Sequence, residues 1–143
     1  MALACDIRLA DSNASLGITA AKMGLVYPPS ALSCLIEAVG VPAAKDLLFT
    51  ARLVDAGEAA RLGLVNRVVP PEHLARVTYE TARRIAANSA RTVGGIKRLI
   101  HRLQESPAFA PELYAELQGA AAPDLAEGKQ AFLEKRAPRF NKS

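Results

Sequence analysis

Residues 16–31 read Leu-Gly-Ile-Thr-Ala-Ala-Lys-Met-Gly-Leu-Val-Tyr-Pro-Pro-Ser-Ala, and the rest of the chain is organised around this stretch. It follows neither the period of a strand nor that of a helix, and its glycines, prolines and tyrosine lie between an apolar strand and an apolar helix. Irregular backbone on a rigid scaffold commonly carries binding and catalytic groups. The alternative is an ordinary strand-to-helix connection, which composition alone favours.

The composition is that of a single globular domain. The 143 residues are 50% hydrophobic but contain no Trp, 3 Tyr and 4 Phe, which predicts a core of Ala, Leu, Val and Ile. Basic residues give a net charge of +4 but are interspersed with acids, so we expect no nucleic-acid partner. No apolar run is long enough to cross a membrane. The 2 cysteines form no CxxC pair, which predicts reduced buried thiols and a cytoplasmic protein.

The first half alternates short strands and helices. Ser30 is the predicted N-cap of a helix over 31–39 that Gly40 ends, and a second helix is predicted over 43–50. Asp55 and Glu58 form a predicted capping box for a third helix, which Gly63 ends. Strands are predicted over 6–10, 14–18 and 64–69.

The second half is predicted to be helical. Apolar spacing indicates helices over 72–88 and 90–104, and prolines separate two more over 111–121 and 124–135. We therefore divide the chain into a core at 1–69, with a loop at 16–31 that would carry the active site, and a helical region at 70–143. The strands have exposed edges that need partners, and the chain starts abruptly in apolar sequence, as though cut.

Three segments carry a resemblance to a known family. They are Ala-Cys-Asp-Ile-Arg-Leu-Ala at 4–10, the run from Leu-Leu-Phe-Thr-Ala-Arg to Gly-Leu-Val-Asn at 47–66, and the run from Glu-Gly to Arg-Ala-Pro at 127–138. In this order and spacing they resemble the second half of the crotonase superfamily, the enoyl-CoA hydratase/isomerase group. The resemblance implies an α/β fold: the C-terminal part of a crotonase-like ββα spiral, followed by a helical trimerisation region. It also implies an acyl-CoA thioester as substrate, no separate cofactor and no metal, and a homotrimer or dimer of trimers.

The resemblance also marks what this sequence lacks. In the family two backbone N–H groups form an oxyanion hole for the thioester oxygen, and these and a first glutamate correspond to positions before Met1. The second glutamate of hydratases falls on Ala20, three residues after Gly17. Hydration needs carboxylates to hold water and exchange a proton. Ala20 therefore argues against ordinary hydratase chemistry.

Within the family, the loop is most similar to that of methylmalonyl-CoA decarboxylase. The likeness implies that Tyr27 is catalytic, with Thr19 as a second polar contact, and that Ala20 spares the substrate carboxylate a like-charge clash. Lys22 and Gly24 are assigned with Ala20 to substrate binding, although a surface role is the ordinary one for Lys22. For Tyr27 the alternative is a core tyrosine with its hydroxyl satisfied.

The family likeness extends to the C-terminal end. Phe132 and Lys135 fall on positions that contact the adenine and phosphate region of CoA, and their spacing predicts one helix face. The ordinary alternative is a core Phe and a solvated Lys. Three functions remain open: a decarboxylase-type lyase of fatty acid metabolism, an enoyl-CoA hydratase or isomerase, and a non-catalytic truncated remnant. Turnover by residues 1–143 alone is not expected, because the oxyanion hole would be missing.

Overall fold

A computed structural model describes residues 2–105 and 111–140. The chain divides into two compact units, Met1–Thr78 and Tyr79–Ser143. The elements of the first unit alternate strand and helix, and those of the second are helical. In chain order the strands are β1 (Leu9–Asp11), β2 (Ser15–Gly17), β3 (Leu53–Asp55) and β4 (Arg67–Val69), and the helices are α1 (Pro29–Thr50), α2 (Ala56–Leu62), α3 (Leu74–Ala86), α4 (Ala90–Glu105) and α5 (Pro111–Leu133). Three short 3-10 turns are Ala2–Ala4, Ala20–Met23 and Pro71–His73.

The strands of the first unit find partners within the chain. β1 pairs with β4 in parallel, with Leu9 opposite Arg67, and β2 pairs with β3 in antiparallel register, with Leu16 opposite Val54. Strand β3 was not predicted from the sequence, because it is only three residues long. Each sheet has two strands, so the outer edges of the described strands remain unpaired.

Helix α1 contains the predicted break. Gly40 has φ 74° and ψ 162°, so the helical backbone is interrupted there, as the glycine predicted. The prediction of Ser30 as N-cap is wrong: the helix begins at Pro29, and the carbonyl of Pro28 accepts from the N–H groups of Ala31 and Leu32. The fixed φ of proline favours this earlier start.

Helix α2 has the predicted cap. The Asp55 carboxylate accepts from the Glu58 N–H at 2.7 Å, and Gly63 ends the helix at φ 86°. The reciprocal half of the capping box is replaced, because the Glu58 carboxylate accepts from Arg52 instead, at 2.7 and 3.0 Å. Arg52 also donates to Asp46 at 2.6 Å, so one guanidinium joins the end of α1 to the start of α2.

The core of the first unit is aliphatic, as predicted. Its buried cluster contains Ala, Leu and Val only: Ala10, Leu35, Ala44, Leu47, Val54, Ala59, Leu64 and Val65. These side chains come from β1, β3, α1, α2 and the turn after α2. Packing them removes apolar surface from water and so fixes the ends of the loop between β2 and α1.

The second unit differs from prediction at α5. Two helices separated near Pro123 were predicted, but Pro111–Leu133 is one helix with Pro123 inside it. Proline lacks an N–H and so cannot donate the bond expected at that position. Asp124, the next residue, is buried and accepts from Ser89 and Arg91 at the start of α4, which anchors the helix beside the proline.

Candidate functional site

The loop between β2 and α1 is an ordered turn. Residues Ala20–Met23 form a 3-10 turn that Gly24 ends at φ 67°, and the N–H of Leu25 donates to the Ala20 carbonyl at 3.0 Å. Glycine suits this left-handed conformation, in which a side chain is strained. The turn brings the chain from β2 to Tyr27 and then to the prolines that begin α1.

Tyr27 lines a cavity of about 260 Å³ in the first unit. Most of the other lining residues are aliphatic and none of them is charged: Ala2, Leu3, Ser15, Leu16, Gly17, Ile18, Leu35, Leu47 and Leu64. Tyr27 is half-buried, and within residues 2–105 and 111–140 no protein group hydrogen-bonds to its hydroxyl. Because the described residues contain no fully buried side-chain polar atom without a partner, this hydroxyl is accessible to solvent or to a ligand.

The other predicted loop residues do not line this cavity. Ala20 is buried, with 8% of its surface exposed, whereas Thr19, Lys22 and Gly24 are exposed. Of the five loop residues predicted to form the site, only Tyr27 therefore lines the cavity. The other four lie in or beside the 3-10 turn that precedes it. Their assignment to catalysis and substrate binding stays a prediction.

The aliphatic wall of the cavity was not anticipated from sequence. Leu35, Leu47 and Leu64 lie far apart in the chain and read individually as core residues. Ser15, the second hydroxyl-bearing residue of the lining, reads as an ordinary strand residue. Only the fold brings them to Tyr27, and no local motif signals it.

Arg8 holds two parts of the cavity wall. Its Nε donates to the Leu64 carbonyl at 2.7 Å, and its Nη1 donates to the Cys5 carbonyl at 2.7 Å. Leu64 lines the cavity, and Cys5 directly follows the 3-10 turn Ala2–Ala4, which contributes Ala2 and Leu3 to the lining. These two hydrogen bonds give Arg8, which lies in the family-like segment at 4–10, a structural role. The cysteine there is exposed, so the prediction of a buried thiol is wrong for Cys5.

In the second unit, Phe132 and Lys135 are placed differently from one another. Phe132 lies in the last turn of α5 with 83% of its surface exposed. Lys135 lies beyond the helix at φ 51°, with its N–H donating to the Phe132 carbonyl at 3.2 Å. The Arg136 N–H donates to the Ala131 carbonyl at 3.0 Å, which completes a Schellman turn. The prediction that both side chains share one helix face is therefore wrong.

Phe132 borders a large apolar groove in the second unit. The groove has a volume of about 850 Å³ and is lined from α4, α5 and the C-terminal segment. Its aliphatic and aromatic lining residues are Val93, Ile96, Ala121, Leu125, Phe132, Leu133 and Phe140. Lys129 also lines it, whereas Lys135 does not. Phe132 and Lys135 remain predicted contacts of CoA.

Glu127 holds the C-terminal family-like segment in place by hydrogen bonds. Its carboxylate accepts from Arg136 at 2.7 and 3.1 Å and from the Arg139 N–H at 2.7 Å, which folds the segment after α5 back onto the helix. Hydrogen bonds from Gln130 and then from Arg136 lower the pKa of Glu134, and the bonds to Glu127 and Glu134 raise the pKa of Arg136. The acidic and basic side chains of this cluster form ion pairs with one another, so the cluster stabilises the fold of this segment.

The described residues contain no group of three or more His, Cys, Asp and Glu side chains arranged to hold a metal ion. Across those same residues no helix is both long and apolar enough to span a bilayer.

The family assignment comes from comparison with known proteins. The enoyl-CoA hydratase/isomerase family model matches residues 1–143. A provisionally named enoyl-CoA hydratase of Thermus thermophilus is 41% identical over 98% of this chain, and a short-chain-enoyl-CoA hydratase of Clostridium acetobutylicum is 36% identical over 95%. The chain spans 56% and 53% of these two relatives, so it covers about half of their length.

A solved structure gives the same result for the fold. The enoyl-CoA hydratase of Bacillus anthracis superposes with a TM-score of 0.87 at 33% identity, covering 96% of this chain and 55% of the other. The fold is thus the part of the crotonase fold expected from the three segments. Nothing in these comparisons singles out methylmalonyl-CoA decarboxylase. The chain belongs to the enoyl-CoA hydratase/isomerase family.

Proposed function

We propose that this chain supplies the acyl-binding part of an enzyme that acts on coenzyme A thioesters, and that the complete enzyme decarboxylates a malonyl-type thioester. One observation carries the proposal. The Tyr27 hydroxyl has no protein partner within the described residues, and Tyr27 lines a cavity whose lining contains no charged side chain. Ala20, to which the family resemblance assigns the place of a hydratase glutamate, carries no carboxylate.

The chemistry follows from these two features. Tyr27 donates a hydrogen bond to the substrate carboxylate, and the uncharged lining leaves that carboxylate poorly solvated. The bond between the α-carbon and the carboxylate then breaks, CO2 leaves, and the electron pair remains as a thioester enolate that takes up a proton. Thr19 is proposed as a second polar contact, with Ala20, Lys22 and Gly24 shaping the substrate-binding turn. The enolate oxygen requires the family's oxyanion hole.

The second unit is proposed to assemble the enzyme and to contact CoA, as the family resemblance implies, commonly from a neighbouring subunit. Phe132 offers a ring for the adenine of CoA and Lys135 a charge for its phosphates. The exposed apolar side chains Leu125, Phe132 and Leu133, with 52%, 83% and 75% of their surfaces accessible, support a homotrimer or a dimer of trimers. Coenzyme A enters as part of the substrate, and no other cofactor is proposed.

Two other functions have their own support. The names of the Thermus and Clostridium relatives favour an enoyl-CoA hydratase, although Ala20 lacks the carboxylate that water addition needs. A non-catalytic remnant is the third candidate.

The deciding experiment compares two reactions of the complete enzyme. Release of CO2 from methylmalonyl-CoA is expected, with hydration of crotonyl-CoA at background, and Tyr27→Phe should lower the decarboxylation kcat about a hundredfold. Tyr79→Phe, on an exposed tyrosine of α3, is the matched control and should leave kcat unchanged. Rapid hydration of crotonyl-CoA would establish the hydratase instead. Absence of both reactions would favour the inactive chain.

A further inference from the structure

The groove between α4 and α5 lies within the second unit and shares no lining residue with the smaller cavity of the first unit. Val93 and Ile96 of α4 and Leu125 of α5 contribute to its apolar lining. Phe140 follows α5 and packs beside Gly128, where a Cβ atom would lie 3.8 Å from the phenylalanine ring. The C-terminal segment therefore adds a further wall to the two helices. The volume of about 850 Å³ falls in the range of small-molecule sites.

Among the described residues, two charged side chains line the groove, and they differ in whether a partner compensates them. Asp124 is buried, and its carboxylate accepts from Ser89 and from Arg91, so its charge is compensated within the protein. Lys129 is exposed, and no other residue of 2–105 or 111–140 forms a hydrogen bond or an ion pair with its ammonium group. The groove thus combines an extended apolar surface with a single uncompensated positive charge.

We infer that this groove binds an anionic amphiphile, namely a medium-chain carboxylate whose alkyl chain lies between α4 and α5 and whose carboxylate pairs with Lys129. Burial of the alkyl chain supplies affinity, and the ion pair at one end orients the ligand. A helix of another protein would bring several charges to the groove, whereas the lining offers an unpaired partner for only one. The inference goes beyond the proposed function, because this ligand is not a thioester.

The two parts of the ligand contribute unequally to binding. A volume of about 850 Å³ equals the liquid volume of roughly 28 waters, which is ample for an alkyl chain of about ten carbons and its carboxylate. Each methylene that leaves water should strengthen binding about twofold to fourfold, the lower value applying where part of the chain stays exposed. An exposed ion pair adds only about fivefold or less. The alkyl chain therefore supplies most of the affinity, and Lys129 supplies the preference for an anion.

The experiment measures the binding of decanoate to the 143-residue chain by isothermal titration calorimetry, at concentrations below those at which decanoate forms micelles. Decyltrimethylammonium, which has an alkyl chain of the same length and the opposite charge, is the matched ligand. We expect decanoate to bind about tenfold tighter than decyltrimethylammonium, because Lys129 attracts one head group and repels the other. Octanoate, which is two methylenes shorter, should bind about four- to sixteenfold more weakly than decanoate.

Two pairs of variants locate the site. Lys129→Gln should weaken decanoate binding about fivefold, and Lys45→Gln, at an exposed lysine of α1, should leave it unchanged. Ile96→Glu places a carboxylate in the lining and should weaken decanoate binding at least about tenfold. Ile100→Glu, on the same helix but outside the lining, is its control. The two isoleucines are 53% and 51% exposed, so both variants are expected to fold, and thermal unfolding midpoints check this.

Several results would overturn the inference: no saturable binding of decanoate, equal affinity for the two matched ligands, or equal effects within either pair of variants. If Ile96→Glu does not fold, the two lysine variants decide alone. An oligomer that Ile96→Glu dissociates and decanoate leaves intact would assign the groove to a second copy of the chain, which also contradicts the inference. Because neither ligand is a thioester, failure here leaves the proposed reaction standing, and absence of CO2 release in the complete enzyme leaves this site standing.

Discussion

Arg8 and Leu64 are joined by a hydrogen bond of 2.7 Å from the arginine Nε to the leucine carbonyl, across 56 positions of sequence. The same guanidinium donates to the carbonyls of Cys5 and Gly63 at 2.7 and 3.2 Å. Three backbone acceptors from two distant segments therefore depend on one side chain. Arg8 thus binds the carbonyls of the left-handed turn that ends α2.

Replacing Arg8 should weaken the first unit. Arg8→Met keeps much of the aliphatic stem but leaves these carbonyls without their charged donor, at an expected cost of about 2 kcal/mol in the free energy of unfolding. Arg8→Lys should recover part of the loss, because an ammonium can reach only some of the acceptors. Urea denaturation measures both values. Equal stability of Arg8→Met and the unsubstituted chain would show that the bonds contribute nothing net.

Gly17 should not tolerate a side chain. A Cβ atom there would lie 2.7 Å from the Arg52 carbonyl oxygen and 2.7 Å from a Leu53 methyl carbon, because β2 and β3 approach closely. Gly17→Ala is therefore expected to destabilise the chain by roughly 2 kcal/mol or more. Gly94→Ala is the matched control: nothing lies within 4 Å of that Cβ, and replacing a helical glycine should stabilise by about 1 kcal/mol.

The contrast between the two alanines is the test, measured as midpoints and slopes of urea unfolding. A loss at both positions would mean that the space around Gly94 is needed. A loss at neither would mean that the strands β2 and β3 can separate without cost.

Acid should weaken the joint between α1 and α2. The hydrogen bond from Arg52 lowers the pKa of Glu58 below the ordinary value of 4.5. A carboxylate with a depressed pKa in the folded state contributes stability that is present above its unfolded pKa and lost as pH falls through the folded one. Glu58→Gln should therefore flatten the decline in stability below about pH 4.5.

The measurement is a series of thermal midpoints between neutral and acidic pH. Glu72→Gln, at an exposed glutamate in the turn before α3, should retain the decline of the unsubstituted chain. If the thermal midpoint of Glu58→Gln falls with pH as steeply as that of the control, the carboxylate bonded to Arg52 is not the group responsible for the loss of stability.

Phe132 should govern self-association without supporting the fold. Because 83% of its surface is exposed, Phe132→Ser removes little packing and should change the free energy of unfolding by no more than about 0.5 kcal/mol. If the proposed trimer forms through this end of α5, sedimentation velocity should show a shift toward monomer. Phe49→Ser, at a phenylalanine that is 76% exposed on α1, is the control and should leave the mass unchanged. A trimer that persists in Phe132→Ser would contradict this role.

Sequence predicted the elements that local chemistry determines. Asp55 and Gly63 bound α2 because a carboxylate cap and a left-handed glycine act within a few residues, and Gly40 interrupts α1 for the same reason. Pro123 did not end a helix as predicted, because the buried Asp124 holds the neighbouring turn through contacts to α4. Tertiary contacts override proline's local preference there.

The candidate site likewise combines residues that the sequence indicated with residues that only packing brings together. Tyr27 was singled out through the likeness of its loop to that of methylmalonyl-CoA decarboxylase, and its catalytic role stays a prediction. The leucines around it were not, since Leu35, Leu47 and Leu64 become neighbours only through packing. The helical spacing assigned to Phe132 and Lys135 was wrong because α5 ends at Leu133 and the chain then turns into the left-handed region.

The pairing of β2 with β3 has a consequence for which part of this chain tolerates substitution. Gly17, at one end of the loop, is held against Leu53, and Pro29, at the other end, begins a helix whose buried face belongs to the core. Residues 18–28 therefore form an excursion between two anchored points, and most of its side chains are exposed. Substitutions of its exposed side chains should therefore change the stability of the core little. The sequence of this segment can thus vary while the strand and the helix on either side of it keep their positions.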